Sequence, residues 1–241
     1  MKAIRIDAWQ TMASYRIPAS FIIKESYPLP PYSTVIGMIH AACGFQEYVP
    51  MDVSVQGKGY SSISDLYTKY DFNPSIAYEA GRHQIEIPCE GRSCGVTRGA
   101  GRVELVVDAE LVFHVKTLHE ERLEEIVKGL LNPVNYPSLG RWEDLIRLDS
   151  VRIVEVEETI LSNTFFLPYN AYVPLRTEAE YEKDAFWHGT IYTLNKDYTI
   201  DLKTNFRRWN RVRARYASQT SFVTEDKCLW MDSEGTPVFF A

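Results

Sequence analysis

From Lys2 to Trp9 apolar and polar residues alternate, with Ala3, Ile4 and Ile6 among polar neighbours, which is the period of a half-buried strand. The segment Tyr27-Pro-Leu-Pro-Pro-Tyr-Ser-Thr-Val-Ile-Gly-Met-Ile-His40 then changes the pattern. Its prolines fix an extended approach, and an apolar helix is predicted over 33–44, stopping at Gly44. Ser33 is the expected cap, and no acid occupies the first turn, so the amides there could meet an anion such as a phosphate. The plainer alternative is an ordinary capped core helix.

Asp52 to Tyr60 reads as a second strand running into Gly57 and Gly59, and Val103 to Lys116 as a long third one. Between them, 61–102 is irregular and rich in Gly, Ser, Arg and Tyr, with short strand-like pieces such as Gln84 to Ile87. A segment that long without clear structure is usually functional or disordered in isolation. His119 to Leu131 is an amphipathic helix with Leu123, Ile126, Val127, Leu130 and Leu131 on one side. A turn-rich loop, Asn132 to Trp142, leads to a fourth strand at Val151 to Val156.

The predicted fold is therefore α+β: a βαββαβ, ferredoxin-like or RRM-like domain over 1–160, with an insertion at about 61–102. Beyond residue 160 the helix signal fades. Phe165 to Pro174, Trp187 to Leu194, Thr220 to Val223 and Cys228 to Asp232 read as short strands, and a Ser233-Glu-Gly turn leads to Val238-Phe-Phe240. These predict a β-rich C-terminal module over 161–241.

Composition narrows the function. The chain has 241 residues, 45% of them hydrophobic, enough for a real core, and no apolar run approaches the roughly 20 residues of a membrane span. Met1 to Asp7 lacks a signal-peptide core, so a cytoplasmic protein without membrane contact is expected. Cys43, Cys89, Cys94 and Cys228 are scattered without metal-ligand spacing, so neither a zinc site nor a disulfide framework nor any cofactor is expected. A net charge of −6 argues against a free-standing nucleic-acid binder. Locally the balance reverses. Lys203, Arg207, Arg208, Arg211, Arg213 and Arg215 follow Asp201 with no further acid, while acids crowd Glu120 to Glu125, Glu155 to Glu158 and Glu178 to Asp184. On a strand Arg211, Arg213 and Arg215 would share a face, and with Trp209 and Tyr216 they suit phosphate contact and base stacking. The alternatives are a solvated face paired to acids near Glu178, or a dock for an acidic partner.

Tyr15-Arg-Ile-Pro18, Tyr27-Pro-Leu-Pro-Pro-Tyr-Ser-Thr-Val-Ile-Gly37 and Leu139-Gly-Arg141 together resemble the CRISPR-associated RAMP superfamily and, within it, the fifth-numbered Cas family. The resemblance spans about residues 1–160 and suggests a type I-B-like system. It implies an RRM-like domain with an inserted β-hairpin thumb, in a Cascade subunit that caps the 5′ handle of the CRISPR RNA beside the large and backbone subunits. The thumb would lie in 61–102, with Lys58, Arg82, Arg92, Arg98 and Arg102 as basic candidates, and the glycine-rich loop at Pro137 to Arg141. The RNA-binding set it implies is Arg16, Tyr32, Ser33, Thr34, Arg98, Arg102, Ser138, Gly140, Arg141 and Trp142. Chemically, Gly140 would let a ribose-phosphate approach the backbone, Arg141 would supply a planar donor fork, and Trp142 would stack on a splayed base. Against these stand a core role for Trp142 and an ion pair of Arg141 with Glu143 or Asp144. The basic run at 207–215 could meet the handle or target DNA near the protospacer-adjacent motif.

Some relatives cut precursor RNA by metal-independent acid–base catalysis, which needs a base near the 2′-hydroxyl and an acid near the leaving oxygen. His40, His114, His119, Tyr32 and Lys116 are the candidates. His40 lies in an apolar helix and His119 at a helix start, while His114 and Lys116 share a strand face with Val112, opposite Leu111, Phe113 and Val115. A non-catalytic clamp is expected, with His114, Lys116 and Tyr32 the runner-up catalytic set.

Overall fold

The computed structural model describes residues 1–175 and 185–241. The chain opens with β1 (Lys2–Ala13), α1 (Tyr32–Cys43) and β2 (Met51–Lys58). Then come β3 (Ser61–Ala77), β4 (Ile85–Cys89), β5 (Arg92–Thr117), α2 (Glu121–Leu131) and β6 (Arg147–Ile160). The remainder is β7 (Phe165–Phe166), β8 (Asn170–Pro174), β9 (Ala185–Phe186), β10 (Ile191–Ile200), β11 (Arg207–Ala217), β12 (Phe222–Val223) and β13 (Cys228–Asp232). Among the described residues the large sheet runs β10-β11-β8-β2-β5-β1-β6-β13, every pairing antiparallel. The strands that follow residue 160 thus extend both edges of the sheet begun by the first half, while β7, β12 and β9 form a small separate one.

One face of the sheet carries the helices. Ile4, Ile6, Val53, Val55, Leu111, Phe113 and Val115 pack there against Val35, Ile36 and Ile39 of α1 and Leu123, Ile126 and Leu130 of α2. Leu131, expected on the same side of α2, is exposed. At Gly129 a Cβ would lie 2.6 Å from Cys43 Sγ and 3.0 Å from Cys43 Cα, so α2 closes on α1 only because that position is bare. Gly129→Val should cost about 1–3 kcal/mol by wedging the helices apart. An unchanged thermal midpoint would contradict that packing.

Helix α1 begins one residue earlier than its sequence suggests. Pro31, extended at ψ 154°, is the N-cap, and its carbonyl accepts from the amides of Thr34 (2.9 Å) and Val35 (3.3 Å). Ser33 therefore sits inside the first turn and makes no side-chain cap, contrary to its expected role. Gly44 ends the helix as expected, at φ 70°.

The reading of 61–102 as irregular is overturned. β3 pairs with β5 from Ser61↔Val107 to Ala77↔Cys94, and β4 pairs with the outer end of the same strand, making a long projecting hairpin. Most of β3 is exposed, so no apolar period marks it. β5 passes from partner β2 to partner β3 beside Asp108, whose φ of 49° lies in the left-handed region that Asp tolerates better than most residues.

The other face of the sheet is covered by the C-terminal tail. Pro237 bridges to Met231 across the Ser233-Glu-Gly turn, and Val238 to Phe240 are buried without forming a regular strand. Gln56 Nε2 donates to the Pro237 carbonyl (2.6 Å), and the Phe239 amide donates to Ser54 Oγ (3.0 Å). The strand expected at Trp187 to Leu194 is displaced: β9 ends at Phe186 and β10 starts at Ile191. No helix among the described residues is long and apolar enough to cross a membrane.

Candidate nucleic-acid interface

The loop after α2 is fastened to the end of β1 by one carboxylate. Asp144, with a side chain 2% exposed, accepts from the backbone amides of Ser14 (2.9 Å) and Arg141 (2.8 Å). It also pairs with the Arg141 guanidinium through Nη2 (2.7 Å) and Nε (3.1 Å). Gln10 Nε2 donates to the carbonyls of Leu139 (3.0 Å) and Asp144 (3.1 Å), and the buried Tyr15 hydroxyl donates to Gln10 Oε1 (2.7 Å). Burial, with Asp144 nearby, pushes the Tyr15 phenol far above its ordinary value, so it is a fixed donor.

Two expected RNA contacts thereby change meaning. Gly140, at φ 115°, would bring a Cβ within 2.8 Å of Asp144 Oδ2 and 2.9 Å of the Ser14 carbonyl, so its bareness serves the loop's own closure. Arg141 realises both weighed ion pairs, with Glu143 (3.0 Å) as well as Asp144, and the Asp144 hydrogen bond holds its guanidinium above its ordinary value. Trp142 is no core anchor: its ring is 87% exposed. Ser138 is half-buried and bridges to Leu145 at the loop's neck.

Beside this loop lies a cleft of about 190 Å³ lined by Ser14, Arg16, Lys24, Tyr67, Arg141 and Glu143, with Val103 beneath. It brings together β1's exit, the 14–27 loop, the base of the projecting hairpin and the Leu139-Gly-Arg141 loop. Arg16 is exposed, and Lys24 Nζ sits 4.0 Å over the Tyr67 ring, so two cations line the cleft. Arg98 and Arg102 lie exposed on β5 further along the hairpin.

Other expected contacts fall elsewhere. Tyr32 is fully buried and cannot stack on a base, while Ser33 and Thr34 are half-buried. The runner-up catalytic set is not assembled. Tyr32 packs in the helix-side core, whereas His114, also fully buried, lies on the tail side with Nε2 2.9 Å from Asp232 Oδ2. Lys116 is held by Asp52 at 3.4 Å. On β11, Val212, Ala214 and Tyr216 turn to the core, leaving Arg211 and Arg213 exposed on the alternate positions. Arg215 is half-buried and donates to the Gly189 carbonyl (3.3 Å). Arg208 pairs with Asp201, and Arg207 lies 4.4 Å over the Tyr198 ring. The acids near Glu178, weighed as partners for this strand, lie outside the described residues.

Residues 3–208 match the family model described as CRISPR-associated protein (Cas_Cas5). The chain belongs to the Cas5 family. No curated protein matches it in sequence. Among solved structures, a chain of a "CRISPR RNA-guided surveillance complex" superposes with a TM-score of 0.55 at 17% identity, covering 98% of this chain and 91% of that one, which shows a shared fold. A CRISPR protein from Archaeoglobus fulgidus covers 99% of this chain and 98% of its own, at 12% identity and a TM-score of 0.45. For a Cas5 protein of this build, sequence reasoning missed Lys24 and Tyr67, which nothing in their local pattern marks. The Arg141-x-x-Asp144 spacing was the visible sign that the glycine loop ties itself down.

Proposed function

We propose that this Cas5 chain is a non-catalytic subunit of a CRISPR effector complex that binds the 5′ handle of the guide RNA. The observation that carries the reading is the cleft where Arg16 and Lys24 meet the locked Leu139-Gly-Arg141 loop at the root of the β3–β5 hairpin. The order β1-α1-β2-β5-α2-β6, with β2-β5-β1-β6 adjacent, supports a ferredoxin-like unit carrying that hairpin as a thumb. Single-stranded RNA is held by cations along its backbone and by rings under its bases, and this cleft offers both, with Trp142 exposed beside it. The large and backbone subunits are the neighbours the family resemblance implies. The acidic net charge fits a subunit whose RNA affinity depends on them. A nuclease reading has no support in the burial of His114 and Tyr32 on opposite sides of the sheet.

In the assembly formed by co-expression with its neighbouring CRISPR-associated subunits, Arg16→Ala/Lys24→Ala should weaken RNA retention about tenfold. The slope of log affinity against log salt should also become shallower, by roughly 0.7 for each phosphate no longer neutralised. Labelled repeat RNA incubated with the purified chain in EDTA should stay intact. A discrete cut, or full retention by the double variant, would overturn the reading.

A further inference from the structure

A second cleft, of about 410 Å³, lies between α1 and the β10–β11 hairpin and shares no lining residue with the first. On its helix side His40 is fixed at both nitrogens. Nδ1 is 2.9 Å from the Ile36 carbonyl and Nε2 accepts the Val49 amide at 3.0 Å, which fixes the ring's orientation. Tyr48 lies flat on that ring, centroids 5.5 Å apart and planes within 10°, and is 51% exposed. On the hairpin side Tyr198 and Trp209 meet edge to face at 5.2 Å, with the Arg207 guanidinium over Tyr198. Gln46 and Glu47 supply polar edges. Burial, reinforced by Asp197 and Asp52, pushes the Tyr48 phenol up to about 12, so it stays a neutral donor.

Exposed rings held rigid by other rings lose little freedom when a flat ligand covers them. The adjoining strand carries Arg207, Arg211 and Arg213 at exposed positions, with no acid between Asp201 and Arg215. A rigid aromatic slot beside a basic track matches a nucleobase flanked by phosphates, whereas an acidic peptide would use the track and leave the flat slot without a matching planar group. We propose that this cleft takes one unstacked base of single-stranded RNA, stacked on Tyr48 and faced by Tyr198, with its neighbouring phosphates on Arg207 and β11. The proposal rests on the RNA-subunit reading but assigns a surface that reading does not use.

The test is photo-crosslinking and equilibrium binding of an eight-nucleotide oligouridylate carrying one 4-thiouridine, with the full chain in its co-expressed assembly. Crosslinks should map to Tyr48 or to Tyr198–Trp209. Tyr48→Ala and Tyr198→Ser should each weaken binding about tenfold, with Tyr48→Phe near wild type, because stacking needs the ring and not the hydroxyl. Both positions are exposed enough that the thermal midpoint should hold. Loss in Arg16→Ala/Lys24→Ala with none in Tyr198→Ser or Tyr48→Ala overturns this cleft and leaves the first reading standing. The reverse pattern supports this cleft and removes the Arg16–Lys24 cleft as an RNA contact, and no loss in either removes both. Tighter binding of the matched DNA oligomer, or crosslinks only from a partner subunit, overturns the RNA assignment.

Discussion

Asp232→Ala is expected to destabilise the fold by on the order of 3–5 kcal/mol, because it leaves buried His114 without its carboxylate and takes from Arg5 its one fully buried counter-charge. The Asp232 side chain is completely buried and accepts from Arg5 Nη1 (2.7 Å), His114 Nε2 (2.9 Å) and the amides of Thr236 (2.8 Å) and Glu234 (3.0 Å). Arg5 also reaches Thr236 Oγ1 (2.7 Å), so one carboxylate joins β1, β5 and the turn that brings the tail back over the sheet. Without it the tail from Pro237 should detach first, seen as hydrogen exchange across Val238 to Ala241, before global unfolding in urea.

Burial opposes ionisation of Asp232, but its bonds to His114, the Thr236 amide and Arg5 outweigh that and hold it far below the usual carboxylate range. His114 goes the other way: burial pushes its imidazole down in spite of Asp232. Both groups then make stability fall as acid is added. Asp232 contributes above ~3.9, its unfolded value, and loses that contribution as pH falls through its folded value. Neutral native His114 must gain a proton on unfolding below ~6.5, at up to ~1.4 kcal/mol per pH unit. Urea unfolding at pH 7.5 and 5.5 should show the loss, and His114→Gln should reduce it. An equal slope in both proteins would mean that His114 is not the titrating group.

Elements that bury one face were readable, and those that bury none were not. On β1, β5 and both helices the residues packed against the helix-side core recur at a regular apolar period, and that period survives in the sequence. β3 is exposed along nearly all its length, and with neither face packed its residues were free to lose alternation, which is why 61–102 looked irregular. The tail side of the sheet was hidden for a different reason: beside a small apolar cluster of Ala3, Val154, Val156, Val238 and Phe240, it is tied by Arg5, His114 and Asp232, which are polar and far apart in sequence. For Tyr32 the warning was present, since Tyr32, Val35, Ile36 and Ile39 fall at i, i+3, i+4 and i+7, the spacing of a core-facing stripe. The Leu139-Gly-Arg141 loop was found by motif. Which of its groups are spent on its own closure depends on Asp144 and Ser14 meeting in space.

Asp144→Ala should therefore do more harm than Arg141→Ala, although arginine is the residue that the motif advertises. Removing the carboxylate leaves the Ser14 and Arg141 amides without their acceptor, at about 1–3 kcal/mol for each buried group, and frees a guanidinium that Glu143 alone holds. A total loss of roughly 3–5 kcal/mol is expected by thermal or urea unfolding, with hydrogen-exchange protection falling across 138–146. Asp144→Asn keeps one carbonyl oxygen for an amide but not the charge-assisted fork, so it should fall between alanine and wild type. RNA retention should drop in both Asp144 variants as the loop releases its hold beside Arg16. Arg16→Ala/Lys24→Ala should lower retention with stability intact, since neither side chain holds the loop. That contrast separates a residue that builds the cleft from residues that fill it with charge. An Asp144→Ala protein with wild-type stability and unchanged protection at 138–146 would show that the loop is held by Gln10 and Leu139 alone.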